Sequence, residues 1–561
     1  MPDDLYRQLE AHATREPERP AIRHRRSDGG YEVTTYGQLA EKARRFAHAL
    51  LDGAPEATVV PLYLSKSADA IAAAVGATGA GKAFAWLNRK LRAPQMAAIL
   101  EACGPTVLLM DESSLAALAD TLVTHSAMKQ VSAWVLPAPE RRATNEAALE
   151  RLARAPLVSF WPACPSASIL DELPELPYDS RGPGCCLFTS GSTGAPKGVL
   201  VSRSDLAERA RAEVELYGLK GDSVLLSILP FSFDVGLNQL CSAISVGCEL
   251  VLLDSWLPAD ILDAAEKCEV TGISGVPSIW QAMINAGVQF DTRERQVSLE
   301  YLTISGGDLS PGYLERMSDL AGGAGIYKTY GQSETFRSTA LGPGEFAAKM
   351  RSVGKPFGGA RVYVMDEDDA PCPPDRVGEV LHTGLGVMLG YLRDDGRGDK
   401  LIPNPFFGPS DPSPAAIRTG DFGYLDRDGY LYLCGRQDDM LKVAGNRVYP
   451  RESVDALLTF PQILEAEVVG VKDEQGETQL VAFVIERTLL MEEGGAEAGP
   501  GAVRRQLAKM LPSYMVPRKV VSLASMPRTA TGKPERQALI NAAEEIFERS
   551  EILQNDLGEK P

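Results

Sequence analysis

Residues 187–202 read Leu-Phe-Thr-Ser-Gly-Ser-Thr-Gly-Ala-Pro-Lys-Gly-Val-Leu-Val-Ser, and this stretch decides most of what the sequence implies. An unbroken run of hydroxyl-bearing residues and glycines extends from Thr189 to Gly194, and Lys197 follows in the same loop. Backbone N–H groups and hydroxyls can donate to a polyphosphate, glycines permit its close approach, and a lysine neutralises its charge. The loop is not a Walker A motif, because Lys197 follows a proline and the required order of glycines is absent. The stretch therefore predicts a polyphosphate cradle of another kind.

Composition narrows the class of protein. The chain has 561 residues, of which 44% are apolar and 24% charged, as in an ordinary globular protein of about three or four structural units. A net charge of −18 disfavours nucleic acid as the main partner. Neither a long apolar run nor a basic-then-apolar N-terminal segment is present, so no membrane span or secretory signal is expected and the predicted location is cytoplasmic. Nine scattered cysteines without a Cys-x-x-Cys pair predict buried free thiols in a reducing compartment.

The order of apolar segments predicts the fold class. From Cys185 to about residue 305, short β-branched segments alternate with helical segments, which predicts a parallel sheet covered by helices. Residues 351–435 contain many short strand candidates separated by Gly and Asp turns, and predict a β-rich unit. Beyond Arg436 the pattern is typical of a compact α+β segment, with an acidic end that frays.

Four further segments carry polar chemistry, and each is ambiguous alone. Residues 330–335, Tyr-Gly-Gln-Ser-Glu-Thr, can stack on a base and hold Mg²⁺, or form a surface loop. Residues 418–421, Arg-Thr-Gly-Asp, can bind a ribose or form a plain turn. Residues 435–442 can form a hinge or an exposed turn, and residues 529–533, Thr-Ala-Thr-Gly-Lys, can carry a functional or merely exposed lysine.

Taken in order, the five segments resemble the core motifs of the AMP-forming adenylating enzymes, over roughly residues 30–540. This superfamily includes acyl- and aryl-CoA synthetases, adenylation domains of nonribosomal peptide synthetases, and luciferases. The resemblance implies an α/β fold: a large N-terminal domain of parallel αβ-layered subdomains plus a β-rich subdomain, and a small mobile α+β C-terminal domain. The implied boundaries are a large domain at 1–435, a hinge at 436–438, a small domain at 439–541 and an acidic tail at 542–561.

The resemblance also implies ATP and Mg²⁺ as cofactors. Lys533 would bridge the substrate carboxylate and the α-phosphate, Glu334 would bind Mg²⁺, and Lys197 and Arg436 complete the implied catalytic set. Asp438 matches the hinge position, and Gly445 lies on the loop that would line the phosphopantetheine tunnel. The residues implied to bind ATP are Thr189, Ser190, Gly191, Ser192, Thr193, Gly194, Lys197, Gly306, Tyr330, Gly331, Asp421 and Arg436.

The segment 231–234, Phe-Ser-Phe-Asp, indicates which kind of acid the resemblance implies as substrate. In amino-acid-activating relatives an aspartate at the position of Asp234 binds the substrate ammonium, because a buried ammonium needs a charged partner. Asp234 as a helix N-cap is the alternative. Arg337 is the unusual member of the implied pocket: it can bind a second carboxylate, point to solvent, or pair with a local acid. The implied pocket residues are Asp234, Val235, Asn238, Ser274, Thr303, Ser305, Thr329, Arg337 and Ser338.

The second half-reaction concerns a thiol acceptor. No carrier attachment motif follows Lys533, so a separate carrier protein with a phosphopantetheine thiol is expected, in nonribosomal peptide biosynthesis or related secondary metabolism. Residues 501–540 carry eight basic residues against one acid, which suits an acidic carrier or the phosphates of CoA. Segment 442–452 looks more like that of CoA synthetases, so an acyl- or aryl-CoA ligase stays open. A non-catalytic adenylate-binding protein is the remote alternative.

Overall fold

The fold is organised by five sheets of nine, eight, five, three and two strands among the residues that the structure describes. The structure is a computed structural model and describes residues 4–26, 29–91, 93–111, 114, 131–136, 158–160, 179–190, 196–291, 297, 299–393, 400–443, 446–473, 476–486, 500–528 and 534–546.

Helices cover the sheets. In chain order, those described are α1 (Leu5–Arg15), α2 (Tyr36–Gly53), α3 (Ala68–Gly79), α4 (Ala93–Cys103), α5 (Arg203–Tyr217), α6 (Asp234–Val246), α7 (Pro258–Lys267), α8 (Pro277–Asn285), α9 (Pro311–Ala321), α10 (Pro343–Lys349), α11 (Pro450–Leu457), α12 (Pro500–Met510) and α13 (536–546). Two 3₁₀ turns, at Gln437–Asp439 and Ser513–Met515, lie in the C-terminal part. No helix among the described residues combines the length and apolar character needed to cross a bilayer.

Two largely parallel sheets form the first part of the chain. The nine-stranded sheet contains β1 (Pro20–Arg25), β2 (Tyr31–Thr35), β10 (Val224–Ser227), β11 (Glu249–Leu252), β12 (Gly272–Gly275), β13 (Tyr301–Ile304), β14 (Gly325–Tyr330), β15 (Thr339–Leu341) and β16 (Lys355–Pro356). Its strand order is β16-β15-β14-β13-β12-β10-β11-β1-β2.

The eight-stranded sheet contains β3 (Val59–Tyr63), β4 (Ala83–Trp86), β5 (Thr106–Asp111), β6 (Val131–Leu136), β7 (Val158–Phe160), β8 (Pro183–Ser190), β9 (Pro196–Ser202) and β19 (Gly390–Tyr391). Its strand order is β19-β9-β8-β4-β3-β5-β6-β7.

The remaining sheets are smaller. The five-stranded antiparallel sheet contains β17 (Ala360–Met365), β18 (Gly378–Gly384), β20 (Leu401–Pro403), β21 (Ala415–Leu425) and β22 (Leu431–Arg436). A two-stranded hairpin pairs β23 (Leu441–Val443) with β24 (Asn446–Val448), and a three-stranded sheet joins β25 (Ile463–Lys472), β26 (Thr478–Glu486) and β27 (Lys519–Ser522). The α/β class, the parallel sheets and the β-rich unit at 351–435 are confirmed.

Local sequence explains how the helices pack. In α3 residues 70–78, most of which are alanine or another small residue, are all buried. A side chain at Gly76 would meet the backbone carbonyl of Ala43 in α2, so the two helices approach at backbone distance. Helix α5 begins at the N-cap Ser202, whose hydroxyl accepts from the Asp205 N–H, and it ends at the left-handed Gly218. These fixed ends orient the face of α5 that looks toward α6.

The cysteines are packed inside the protein. Eight of the nine are in described parts of the chain, all eight are free thiols, and all but the half-buried Cys372 are buried. Burial raises the pKa of each of these thiols, to about 12 for Cys103 and Cys248. The prediction of buried free thiols is confirmed for them.

Candidate active site

The phosphate-cradle segment is carried by a hairpin. Strands β8 and β9 pair antiparallel with Thr189 opposite Lys197, so the two residues stand together where the loop leaves the sheet. The Lys197 ammonium lies 5.4 Å from the ring centroid of Tyr391, on the neighbouring strand β19. Residues 191–194, Lys533 and Gly445 lie outside the described residues. Their roles stay predictions.

Glu334 lies beside this hairpin in a buried position. Its Oε1 accepts from the Tyr391 hydroxyl at 3.1 Å and from Lys400 Nζ at 3.0 Å. Lys400 also donates to Gln332 Oε1 at 3.3 Å. Burial alone would raise the pKa of Glu334, but the ammonium of Lys400 outweighs burial and lowers it, so the group is a carboxylate at neutral pH. The structure thus brings Glu334 near Lys197, with Tyr391 between them.

Asp421 is the centre of a second cluster, which gathers residues predicted to bind the nucleotide. Its Oδ2 accepts from the Tyr330 hydroxyl at 2.6 Å and from Gln332 Nε2 at 2.5 Å, while Oδ1 accepts from Arg436 Nε at 3.1 Å. Asp421 and Arg436 are direct partners on β21 and β22, and Tyr330 ends β14. Burial raises the pKa of Tyr330 well above its ordinary value, so its hydroxyl remains a donor. Four predicted nucleotide residues, counting Glu334, thus converge with Gln332.

Two of the four glycines implied to bind ATP, Gly306 and Gly331, lie where a side chain does not fit. Gly306 has φ +73°, and a Cβ there would lie 2.7 Å from the Phe233 ring. A Cβ at Gly331 would collide with the carbonyl oxygen of Phe336. Both positions therefore need glycine to let the chain pass close to its neighbours. Their contact with ATP stays a prediction.

The implied acid pocket contains a buried ion pair. Arg337 Nη1 lies 2.8 Å from Asp234 Oδ2, and Arg337 Nε lies 3.4 Å from Oε1 of Glu213. Arg337 is 3% exposed. Burial alone would lower its pKa, but the two carboxylates more than offset burial and raise it. Of the three possibilities for Arg337, pairing with a local acid is observed and a solvent-facing side chain is wrong.

The start of α6 corrects one alternative. Phe233 is the N-cap, Asp234 is the first helical residue, and no side-chain capping bond is made. The N-cap interpretation of Asp234 is therefore wrong, because its carboxylate turns into the protein toward Arg337 instead of back to the helix N–H groups. Its role toward a substrate ammonium stays a prediction.

Four of the other pocket residues, Ser274, Thr303, Ser305 and Thr329, lie around the carboxyl ends of parallel strands, where α/β sheets bind ligands. Thr303 pairs with Ser274 across β13 and β12, and the Ser305 hydroxyl lies 2.6 Å from that of Thr329.

Asn238 is buried one turn after Asp234, and within the described structure its amide has no hydrogen-bond partner. Such an unpartnered buried amide marks a place where a polar ligand fits. The two remaining residues of the implied pocket differ from Asn238. Val235 belongs to the hydrophobic core, and the Ser338 hydroxyl donates to Thr335 Oγ1 at 3.2 Å.

Sequence reasoning missed several groups that the fold brings here. Glu213, Tyr391 and Lys400 come from segments outside the five motifs, and only Gln332 lies within one. A single sequence offers no pattern that joins Glu213 to Arg337, because the contact links α5 to the chain 124 residues later in an irregular segment.

The C-terminal part contacts the loop before α9. Asp308 pairs with Lys328 at 2.7 Å and with Arg451 of α11 at 3.0 Å, and Ser310 Oγ donates to the Leu464 carbonyl at 2.6 Å. Asp438 lies in the 3₁₀ turn Gln437–Asp439, between β22 and β23. Its hinge role and the predicted domain boundaries stay predictions.

Comparisons with known proteins identify the family of the chain. The profile of the AMP-binding enzyme family matches residues 9–392, and that of the AMP-binding enzyme C-terminal domain matches residues 455–533. The chain is 30% identical to the indoleacetate–CoA ligase of Aromatoleum aromaticum over 542 residues, which are 94% of this chain and 96% of that protein. It is 28% identical to malpinin synthetase of Mortierella alpina over 97% of its own length, but spans 7% of that relative.

Solved structures show the same fold. ATP-bound MatB from Rhodopseudomonas palustris superposes with a TM-score of 0.78 at 21% identity, covering 98% of this chain and 100% of the other. The amide bond synthetase McbA from Marinactinospora thermotolerans gives a TM-score of 0.76 at 24% identity, covering 96% and 98%.

The chain belongs to the AMP-binding enzyme family, as its motifs predict. Its relatives include proteins named as synthetases and ligases, and it spans 20% or less of the length of several of them.

Proposed function

We propose that this ligase activates an amino acid that carries a second carboxylate, and passes the acyl group to the phosphopantetheine thiol of a separate carrier protein in the cytoplasm. The buried pair of Asp234 and Arg337, at 2.8 Å, is the observation that carries the proposal. It offers one anion and one cation, side by side, to an incoming substrate.

The exchange of ion pairs explains why such a substrate fits. A substrate ammonium takes the place of the guanidinium at Asp234, and a substrate carboxylate takes the place of Asp234 at Arg337. Every buried charge then keeps a partner, which a charge removed from water requires. The other carboxylate of the substrate is free to reach the α-phosphate. A fatty or aryl acid offers nothing to either charge.

The nucleotide side supplies the rest of the adenylation site. Thr189, Lys197 and the loop between them hold the β- and γ-phosphates, Tyr330 stacks on adenine, and Asp421 accepts the ribose hydroxyls. Mg²⁺ prefers few carboxylates together with phosphate oxygens, and the charged, buried carboxylate of Glu334 fits that preference. Bound Mg²⁺ neutralises phosphate charge.

The reaction forms a bond between the substrate carboxylate oxygen and the α-phosphorus, and breaks the bond to pyrophosphate. Lys533, outside the described residues, stabilises the developing charge in this proposal. The contact of Asp308 with Arg451 then changes as the C-terminal part turns about Asp438 for thiol transfer.

The proposal of a carrier protein as the thiol acceptor rests on the charge of helix α12. Helix α12 exposes Arg504, Arg505 and Lys509 beside the exposed Met510, a basic face with an apolar spot that suits an acidic carrier protein. Free CoA is the second candidate, because the indoleacetate–CoA ligase is matched over almost its whole length.

A pyrophosphate-exchange assay tests the substrate class. The panel contains aspartate, glutamate and their β-amino isomers, alanine and 2-aminobutyrate without the second carboxylate, succinate without the amine, and benzoate. We expect the amino dicarboxylic acids to exceed the others in kcat/KM by about a hundredfold or more, because each of the others supplies at most one of the two charges that replace the contact between Asp234 and Arg337. Preferred activation of benzoate or succinate contradicts the proposal.

The acceptor is tested separately, by mass spectrometry of a phosphopantetheinylated carrier protein and of CoA after incubation with acid and ATP. We expect acyl transfer to the carrier, slowed in the charge-reversed Arg504→Glu variant. Glu215→Gln, an exposed change on α5, serves as the matched control. Transfer to CoA alone favours the second candidate.

A further inference from the structure

Glu213 is a buried carboxylate outside every motif of the sequence. It projects from α5, is 4% exposed, and its Oε2 accepts from the Ser242 hydroxyl at 3.3 Å. Its Oε1 lies 3.4 Å from Arg337 Nε. Burying a carboxylate this deeply costs free energy unless a cation or hydrogen-bond donor pairs with it, and Glu213 forms its ion pair with Arg337.

Glu213 and Asp234 hold different sides of the same guanidinium. Asp234, from α6, lies at Nη1, whereas Glu213, from α5, lies at Nε. A guanidinium is a rigid planar fork, so a contact at Nε fixes the direction in which its other nitrogens point. Two helices therefore determine the orientation of one side chain.

The contact between Glu213 and Arg337 is an ion pair without a hydrogen bond. Within the described structure, neither Arg337 Nε nor Glu213 Oε1 has a hydrogen-bond partner. Burial raises the pKa of Glu213 and the guanidinium of Arg337 opposes that rise. If Asp234 turns to a substrate ammonium, Glu213 remains beside Arg337 as its counter-ion.

We propose that Glu213 is a positioning residue for Arg337, and through it sets the specificity for the acid. This inference rests on the proposed function in one respect, that Arg337 contacts the acid. Glu213 itself touches no substrate. It keeps the guanidinium charged, oriented and in place while Asp234 changes partners.

A purely structural role is the competing explanation. Arg209, one turn earlier on α5, donates to the backbone carbonyls of Thr335 and Leu385, and its charge also acts on Glu213. If Glu213 served only to balance Arg209, its loss would disturb the whole region without regard to Arg337.

A double-mutant cycle separates the two roles. Glu213→Gln, Arg337→Lys and the double variant are compared by the KM for the acid and for ATP in pyrophosphate exchange, with the acid that the wild type activates best. We expect Glu213→Gln to raise the KM for the acid at least tenfold and to leave that for ATP within twofold. In the Arg337→Lys background the same change adds less than twofold.

Two controls accompany the cycle. Glu215→Gln, exposed on the same helix, changes neither KM, and Ser242→Ala, which removes the other contact of Glu213, raises the KM for the acid by about twofold. If Glu213→Gln does not fold, Glu213→Asp retains the charge, and we expect a smaller rise in the KM for the acid that likewise vanishes in the Arg337→Lys background.

Three outcomes overturn the inference: an equal effect of Glu213→Gln in both backgrounds, a parallel rise in the KM for ATP, or no effect of Arg337→Lys on the KM for the acid. The cycle uses whichever acid is activated, so it can succeed when the substrate panel contradicts the proposed function. A successful panel with a failed cycle rejects the role of Glu213 alone.

Discussion

The proposed nucleotide half and the proposed acid half of the site differ in how exposed the cations beside their carboxylates are. On the nucleotide side, Asp421 and Glu334 pair with cations whose side chains are 60% exposed for Arg436 and 35% exposed for Lys400. In the acid pocket, Arg337 is almost completely buried between two carboxylates. An exposed cation can release its carboxylate at little cost, whereas a buried one can do so only when another charged group takes its place. The nucleotide half is thus suited to exchange of ligands, and the acid half to discrimination between them.

We expect the largest change in the free energy of unfolding when the buried charge of Arg337 is removed. Replacement of Arg337 by methionine leaves Asp234 and Glu213 without their shared cation, so the free energy of unfolding should fall by about 3–5 kcal/mol. Denaturant unfolding measures this. Adding Asp234→Asn and Glu213→Gln should restore most of the loss, because the buried charges are then removed together. A loss below about 1 kcal/mol would mean that removing the cation costs no more in this half than in the other.

Asp421→Asn tests the nucleotide half directly. The carboxylate accepts three hydrogen bonds, and bonds to a charged group contribute about 1.5–3 kcal/mol. We expect the KM for ATP to rise by about tenfold to a hundredfold, with the KM for the acid unchanged, in steady-state exchange assays. Asp428→Asn, on an exposed turn, is the matched control. A change confined to the KM for the acid would reverse the assignment of the two halves.

The Nε2 of the buried His382 and the guanidinium of Arg209 both contact the carbonyl oxygen of Leu385. Burial lowers the pKa of His382 to about 3, so the unfolded chain binds a proton below its pKa of about 6.5 and the folded chain does not. Stability therefore falls as the pH falls. Between pH 7 and pH 5 we expect His382 to remove about 1–2 kcal/mol.

The measurement is denaturant unfolding of wild type and His382→Gln at both pH values, since glutamine can still donate to Leu385. The difference between the two proteins should shrink or reverse at pH 5. Parallel curves for the two proteins would show that His382 titrates normally.

The smallest effect is expected at Lys400. Its ammonium pairs with Glu334 but is about one-third exposed, so Lys400→Met should change the free energy of unfolding by less than about 1 kcal/mol. Calorimetric and denaturant measurements at low and high salt check this. A loss comparable with that of the Arg337 variant would erase the contrast between the halves.

The sequence predicted the scaffold correctly, and its motifs singled out more of the residues that cluster around Asp421 than of those that cluster around Arg337. The alternation of segments from 224 to 305 gave the correct elements, with ends shifted by one to three residues, because apolar periodicity determines elements and side-chain contacts determine their ends. Tyr330 and Asp421 were found because each lies in a compact motif. Their contact with each other, 91 residues apart, is purely tertiary.

The acid pocket resisted prediction for a physical reason. Asp234 was expected either at a substrate amine or at the N-cap of α6, and its actual partner, Arg337, is 103 residues away. Glu213 was not singled out at all, because a glutamate within a helix is usually solvated. Only the packing of α5 against α6 shows that this carboxylate faces inward.

The buried cysteines have a consequence for an enzyme that makes acyl-adenylates. Such mixed anhydrides acylate thiolates, and Cys241 lies on α6, two turns after Asp234. Burial raises the pKa of Cys241 and of each of the other seven described thiols, so at neutral pH they remain protonated and poorly nucleophilic. The described interior is thereby protected from self-acylation, and the activated acyl group is left to an acceptor that arrives from outside.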